Sequence, residues 1–272
     1  MGSLAITGNT FYRDEAYISR SNVSFLPYVG YMGPDINTLD LFRKMLADNS
    51  SGLDIPAAVI LETIQAEGGV NIARPDWLKE LAEICHQFDI LLIIDDIQVG
   101  NGRSGDFFSF EDAGIKPDII CLSKAIGGGL PLAFILMRPD LDQWKPGEHT
   151  GTFRGNNLAF VASTRALCYW DTSDLSEAVK YKGAVMEREL SAIAGKYPEL
   201  NASVRGRGMI HGLELPERGL AGQVAERCFE NGLVIELAGG EDQVVKFLPA
   251  LTIDEETLLK GIGIVDRSIG EI

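Results

Sequence analysis

The sequence predicts an α/β fold, in which a mostly parallel sheet with helices on both faces is followed by a small α+β domain. Two observations predict it. Between residues 57 and 137, short apolar runs alternate with crossover segments, which is the pattern of a parallel sheet. After Asn157, helical patterns come first and strands follow. We therefore expect one domain at 1–156 and a second at 157–272.

The predicted strands of the first half are short apolar runs with many β-branched residues, which is typical of buried strands. They lie at 57–63, 90–96, 118–123 and 133–137. Residues 75–89 form a predicted helix, because their apolar side chains recur at helical spacing and Pro75 suits the first helical position. In such sheets, chemistry gathers at the carboxyl ends of the strands.

The second half contains longer helical patterns and a different set of strands. The predicted helices lie at 157–170, 176–196, 221–232 and 254–269, and the predicted strands at 204–215, 232–237 and 243–253. The last helix begins with acidic residues, which are favourable at the positive N-terminal end of a helix. This half is therefore predicted to form the small α+β domain.

The composition is that of a folded protein with an acidic surface. Of the 272 residues, 46% are hydrophobic, and the formal net charge is −15. Such a charge repels nucleic acid and anionic membranes. The 4 cysteines are widely spaced, without a C-x-x-C pair, which favours buried reduced thiols over a zinc site or disulfides. We expect a cytoplasmic protein with no metal site and with no nucleic-acid or membrane partner.

A glycine pattern follows the predicted strand that ends at two aspartates. Gly100, Gly102 and Gly105 spell G-x-G-x-x-G within IIDDIQVGNGRSG. A dinucleotide-binding loop needs its first glycine directly after the strand and a helix that begins at the third. Here DDIQV separates the strand from the first glycine, and the segment after the third is a poor helix start. We therefore interpret the pattern as a glycine-rich turn.

The aspartates are more informative when they are considered with a lysine. Asp95 and Asp96 end one predicted strand, and Lys124 comes just after another, beside the glycine run 127–129. Alone, the acids would be interpreted as caps and the lysine as a surface charge, but the glycines allow a bulky group to approach the backbone. A pyridoxal phosphate site requires an acid and a lysine so placed: the lysine forms a Schiff base, and the carboxylate keeps the pyridine nitrogen protonated.

Several segments resemble the motifs of one family. LLIIDDIQVGNGRSG and KPDIICLSKAIGGGLP resemble the signature of the class III pyridoxal-phosphate aminotransferases, which have fold type I. VILETIQAEGGV and EHTGTFRGNNLA resemble the family motifs E-P-x-Q-G-E-G-G and H-G-[ST]-T-[FY]-G-G-N-P-L-A, and the similarity continues through KFLPALTI. It covers essentially the whole chain.

The resemblance implies roles for the residues that would hold the cofactor. Lys124 corresponds to the Schiff-base lysine, which is also the base that moves the proton between substrate and cofactor. Asp95 corresponds to the partner of the pyridine nitrogen, and Gln98 to a neighbour of the ring's phenolic oxygen. Thr152 would reach the cofactor phosphate of a neighbouring subunit, which implies a homodimer.

The resemblance also implies two substrate-binding residues. Glu67 corresponds to the acid that gates access between the two substrates. Lys246 stands where many relatives have an arginine for the substrate α-carboxylate, and a lysine offers a point charge instead of a bidentate fork. Three further positions depart from the usual motifs: Asp96 replaces a glutamate, Arg154 a glycine and Asn157 a proline.

Within the class, the chain is most similar to the subgroup that moves the terminal amino group between L-2,4-diaminobutyrate and the glutamate/2-oxoglutarate pair in ectoine biosynthesis. Ornithine, acetylornithine and 4-aminobutyrate are alternative amine donors. The opening MGSLAITGN resembles an internal stretch of the family, which implies an N-terminally truncated member with an incomplete large-domain sheet. We expect such a chain to bind pyridoxal phosphate poorly and to have little transaminase activity.

Two functions of other kinds stay open. One is a non-catalytic remnant that serves only as a dimerisation body. The other is a nicotinamide-dependent oxidoreductase that uses residues 100–105. Tight binding of NADH that survives the loss of Lys124 would favour the oxidoreductase.

Overall fold

The computed structural model describes residues 2–13, 22–152 and 154–272. The chain forms two compact units, residues 1–55 and residues 56–272. The predicted division between residues 156 and 157 stays a prediction.

The first unit contains helix α1 (Gly2–Ala5) and helix α2 (Thr38–Ala47). Asn37 begins α2 as its N-cap, because its side chain accepts a hydrogen bond from the backbone N–H of Leu39 at 3.2 Å. Asp40 in the first turn and Lys44 in the last suit the helix dipole.

The second unit contains the remaining elements. Its strands in chain order are β1 (Ala58–Leu61), β2 (Ile64–Gln65), β3 (Asn71–Ile72), β4 (Leu91–Asp95), β5 (Ile119–Leu122), β6 (Phe134–Met137), β7 (Ser203–Arg207), β8 (Ile210–Glu214), β9 (Glu236–Ala238) and β10 (Val244–Phe247). Its α-helices are α3 (Pro75–Gln87), α4 (Asn157–Leu167), α5 (Asp174–Lys196), α6 (Leu220–Glu230) and α7 (Glu255–Gly270). No helix in the described ranges is both long and apolar enough to cross a membrane.

The first sheet has the strand order β1–β4–β5–β6 in the part of the chain that the structure describes. Strand β4 is parallel to both β1 and β5, so that the carboxyl ends of these three strands share one edge. The mixed α/β fold with a mostly parallel sheet confirms the predicted fold class. Strand β6 is antiparallel to β5, and its side chains from Phe134 to Leu136 are more than one-third exposed.

Helix α3 leads from β3 to β4 and begins at Pro75, as the sequence predicts. Its buried face consists of the residues that showed helical spacing: Trp77, Leu78, Leu81, Ile84 and Cys85. Because this face is apolar and the opposite face is polar, the helix covers the core and leaves its charges in water.

The second sheet is antiparallel and has the order β7–β8–β10–β9 among the described residues. Its core includes side chains from α5, α6, α7 and the sheet itself, among them Met186, Leu190, Val224, Val245 and Val265. The prediction of one strand over 204–215 is wrong, because Gly208 has a φ of +60° and turns the chain into a hairpin. The cysteine prediction is wrong at Cys168, which is exposed.

Candidate active site

Three charged residues lie where neighbouring parallel strands end. Glu62 directly follows β1, Asp95 is the last residue of β4, and Lys124 comes two residues after β5. The strand register sets Asp95 opposite Cys121, just before the chain reaches Lys124. The site that the sequence predicts therefore has its two central residues at one sheet edge, which is where ligands bind in such sheets.

The backbone at Lys124 has an uncommon conformation. Its φ is +53°, in the left-handed region that side chains rarely adopt. The chain enters a short 3-10 turn there, and the preceding Ser123 donates a hydrogen bond from Oγ to the Leu132 carbonyl oxygen at 2.8 Å. Strain of this kind costs about 1–3 kcal/mol and is frequent at functional sites.

The cleft beside this edge has a volume of about 280 Å³. It brings together Lys124, Gln98 and Glu67, which the sequence singles out at separate positions along the chain. The rest of its lining is Gly100, Asn101, Arg103, Ala125, Glu236, Leu248 and Leu251. The last three of these residues come from the second half of the chain, so the cleft lies where the two halves meet.

The carboxyl groups at the sheet edge hold their protons more tightly than usual. Burial raises the pKa of Asp95, although the Ile97 backbone N–H and the charge of Lys124 oppose the shift. Burial and then the Asp95 charge raise the pKa of Glu62 to about 7. Sequence reasoning missed Glu62, and the available signal was its position directly after a predicted strand.

The second aspartate has a structural role. Asp96 is fully buried and accepts hydrogen bonds from the hydroxyl group of Ser109 and, at 3.2 Å, from its backbone N–H. Burial raises its pKa to about 6 despite these bonds. A Cβ at Gly100 would overlap the Asp96 carboxylate, so this glycine is needed for close packing against the acid.

The glycine pattern at residues 100–105 is not followed by the helix that a dinucleotide-binding loop needs. Residues 96–110, all of which the structure describes, form turns and contain no helix. Gly102 packs instead against the ring of Trp170, and Gly105 against the side chain of Lys180. This arrangement agrees with the prediction of a glycine-rich turn.

Lys246 lies in β10 with its side chain almost wholly buried. Its Nζ is 2.6 Å from Glu67 Oε1 and 3.1 Å from Glu236 Oε2. Gln98 donates a further hydrogen bond from Nε2 to Glu67 Oε1 at 2.9 Å. Burial alone would raise the pKa of Glu67, but the hydrogen bonds from Lys246 and Gln98 outweigh it and lower that pKa.

Thr152 and the glycine run 127–129 lie outside the lining of the cleft. Thr152 is exposed and lies outside the cleft lining, and its neighbour Phe153 lies outside the described residues. A Cβ at Gly128 would be 2.7 Å from the backbone carbonyl group of Ala162. The bulky neighbour of this glycine is therefore helix α4, whereas a Cβ at Gly129 would have no atom within 4 Å.

The residues at the sheet edge fit a pyridoxal phosphate ring. Lys124 offers a primary amine, and Asp95 offers a carboxylate at the end of the adjacent strand. The buried Oε1 of Gln98 has no hydrogen-bond partner among the described residues. Such an atom is free to accept a hydrogen bond from a ligand hydroxyl group.

Comparison with known proteins agrees with this geometry. Residues 1–269 match the family described as Aminotransferase class-III. The chain is 62% identical to the diaminobutyrate–2-oxoglutarate transaminase of Wolinella succinogenes, covering 100% of this chain and 64% of that protein. It is 50% identical to the protein of the same name from Halalkalibacterium halodurans, covering 99% and 63%. The chain thus spans less than two-thirds of these relatives.

Solved structures of aminotransferases have the same fold. A Bacillus anthracis aminotransferase has a TM-score of 0.89 at 25% identity, covering 100% of this chain and 66% of that one. The N-acetylornithine aminotransferase of Stenotrophomonas maltophilia has a TM-score of 0.75 at 31% identity, covering 87% and 61%. The chain belongs to the class III aminotransferases, a family of pyridoxal-phosphate-dependent enzymes.

Proposed function

We propose that this chain carries the lysine-bearing part of an aminotransferase that moves the terminal amino group between L-2,4-diaminobutyrate and the glutamate/2-oxoglutarate pair. The observation that carries the proposal is the placement of Lys124 and Asp95 at one edge of a parallel sheet, beside a cleft. The names of the relatives support the choice of substrates.

Each of the two central residues has a defined role in this proposal. Lys124 would hold pyridoxal phosphate through its amine, and its Nζ would hold and move a proton during the reaction. Asp95 pairs with the ring nitrogen through its carboxylate. The bound cofactor supplies an electron sink for the substrate carbanion.

The other predicted residues surround these two. Gln98 contacts the phenolic oxygen, and Thr152 reaches the phosphate across a homodimer. Glu67 and Lys246 are hydrogen-bonded to each other at 2.6 Å; Glu67 gates access between the two substrates, and Lys246 binds the substrate α-carboxylate. A cytoplasmic location and a place in ectoine biosynthesis complete the proposal, and both rest on the resemblance to the diaminobutyrate subgroup.

Covalent trapping tests the cofactor site directly. The chain is incubated with saturating pyridoxal phosphate, reduced with borohydride and analysed by peptide mass spectrometry. We expect the cofactor on Lys124, because reduction traps the linkage even where equilibrium binding is weak. Lys124→Ala should abolish the labelled peptide, whereas replacement of the exposed Lys116 by alanine should leave it unchanged. Labelling spread over surface lysines would contradict the proposal.

A panel of amine donors tests the substrate. Solved relatives are named ornithine and N-acetylornithine aminotransferases, so these two amines are the competing donors, together with 4-aminobutyrate. We expect L-2,4-diaminobutyrate to have the highest kcat/KM with 2-oxoglutarate among these donors in a chain extended to the full length of its relatives, because this chain alone is expected to have little activity. A labelled Lys124 without turnover of any donor would favour the non-catalytic remnant for this chain.

A further inference from the structure

Lys246 has two carboxylate neighbours at the cleft. The ammonium group of Lys246 lies between Glu67 and Glu236, at 2.6 and 3.1 Å. Lys246 is therefore shared by two carboxylates, and Lys124 and Arg103 are the other cations beside the cleft. Because Lys246 and Glu236 are directly opposite each other on β10 and β9, the strand register fixes this juxtaposition.

The two acids are not equivalent. Glu67 Oε1 accepts hydrogen bonds from both Lys246 and Gln98, so its charge is well compensated. Glu236 has the longer contact to Lys246, and its side chain is 67% exposed against 50% for Glu67. It also lines the cleft that contains Lys124. Glu236 is thus the acid with capacity to bind a cation that enters the cleft.

The proposed substrate contains such a cation. When the terminal amine of L-2,4-diaminobutyrate reacts, the opposite end of the molecule carries an ammonium and a carboxylate on one carbon. Lysine and glutamate side chains held next to each other match these two groups with opposite charges. We propose that Glu236 binds the α-ammonium of the diamino acid, while Lys246 binds its carboxylate. This inference rests on the proposed function, and it names the residue that recognises the second amine.

The assignment predicts different effects on the two half-reactions. Glutamate reacts through its α-amine, so the end of the molecule away from the reacting carbon carries a carboxylate and no ammonium. A negative charge at Glu236 therefore strengthens the binding of the diamino acid and does not strengthen the binding of glutamate or 2-oxoglutarate. Among donors, 4-aminobutyrate is the matched comparison, because it is diaminobutyrate without the α-amine.

A ligand titration that is monitored by saturation-transfer NMR tests the assignment. It uses the full chain without added cofactor. At pH 8, we expect Glu236→Gln to raise the Kd of L-2,4-diaminobutyrate about tenfold. The Kd of 4-aminobutyrate should change less than twofold, and Glu236→Asp should recover part of the lost affinity. Glu241→Gln is the matched control, because it removes an exposed acid from the turn between the same two strands. It should leave both constants unchanged.

The contrary outcomes are distinct. If Glu236→Gln lowered the affinity for both ligands equally, Glu236 would only orient Lys246. The ammonium site would also be overturned if the Kd of diaminobutyrate were unchanged in this variant, or if diaminobutyrate did not bind to the chain. Borohydride labelling of Lys124 separates this result from the proposed function. A labelled chain whose diaminobutyrate affinity is independent of Glu236 keeps the function and loses the site.

Discussion

At the scale of single residues, Glu62 is the group whose chemistry the fold changes most clearly. It follows β1, close enough to Asp95 for that charge to act on it. Burial is the larger influence, and the two together raise its pKa from an ordinary 4.5 to about 7. The folded protein therefore binds a proton at Glu62 over a pH range in which the unfolded chain has lost it.

This difference predicts a pH-dependent contribution to stability. Because the folded pKa lies above the unfolded one, the contribution is fully present below pH 4.5 and is lost as the pH rises through about 7. Relative to Glu62→Gln, the wild-type chain should lose about 2 kcal/mol in free energy of unfolding between pH 4.5 and pH 8, allowing for partial exposure. Urea titrations at both pH values measure this loss.

The control for this prediction is Glu199→Gln, which replaces an exposed glutamate. Its difference from the wild type should be the same at both pH values. A Glu62→Gln difference that is equally independent of pH would show that Glu62 ionises normally in the folded chain.

The site residues divide into those that sequence can predict and those that it cannot. Asp95 and Lys124 stand at strand ends, and strand ends are visible as the points where apolar runs stop. Glu236 joins the cleft only because β9 pairs with β10 in one particular register. Register depends on tertiary packing, so no local pattern marks Glu236 as a site residue.

At the scale of elements, helix α5 contains two glycines in opposite surroundings. A Cβ at Gly183 would collide with the carbonyl oxygen of Gly208, in the turn of the β7–β8 hairpin. A Cβ at Gly195 would have no atom within 4 Å. The first glycine lets the helix and the hairpin turn approach closely, whereas the second only weakens the helix.

The two substitutions should therefore change stability in opposite directions. Gly195→Ala should raise the free energy of unfolding by about 1 kcal/mol, since alanine is the better helix former. Gly183→Ala should lower it by about 2 kcal/mol, because the helix or the turn must shift. Denaturant titration of both variants measures this, and each variant is the control for the other. A stabilising Gly183→Ala would contradict the close packing of the turn.

The hairpin also shows where element prediction fails. The strands β4 and β5 and the helices α3 and α5 fall within about two residues of their predicted positions, because long periodic patterns and apolar runs are strong local signals. The hairpin was predicted as one strand, because Gly208 and Met209 interrupt a continuous β-like pattern only briefly. The residues of β6 also do not show that this strand is antiparallel to β5, because an apolar run looks alike in parallel and antiparallel strands.

At the scale of the molecule, Arg103 ties together segments that are far apart in sequence. It follows β4, and its Nη1 donates hydrogen bonds to the carbonyl oxygens of Met209 at 2.9 Å and Pro249 at 2.5 Å. Burial lowers the pKa of its guanidinium to about 10. The predicted domains 1–156 and 157–272 are thus joined through a partly buried cation, a contact that sequence periodicity cannot reveal.

Replacing this cation should weaken the connection between the two halves. We expect Arg103→Met, which keeps most of the length of the side chain, to lower the free energy of unfolding by about 2 kcal/mol, because two partly buried carbonyl oxygens lose their donor. Urea unfolding measures the loss. Replacement of the exposed Arg218 by methionine should change that free energy by less than about 0.5 kcal/mol. An equal effect of both substitutions would mean that Arg103 contributes no more to stability than an exposed surface charge does.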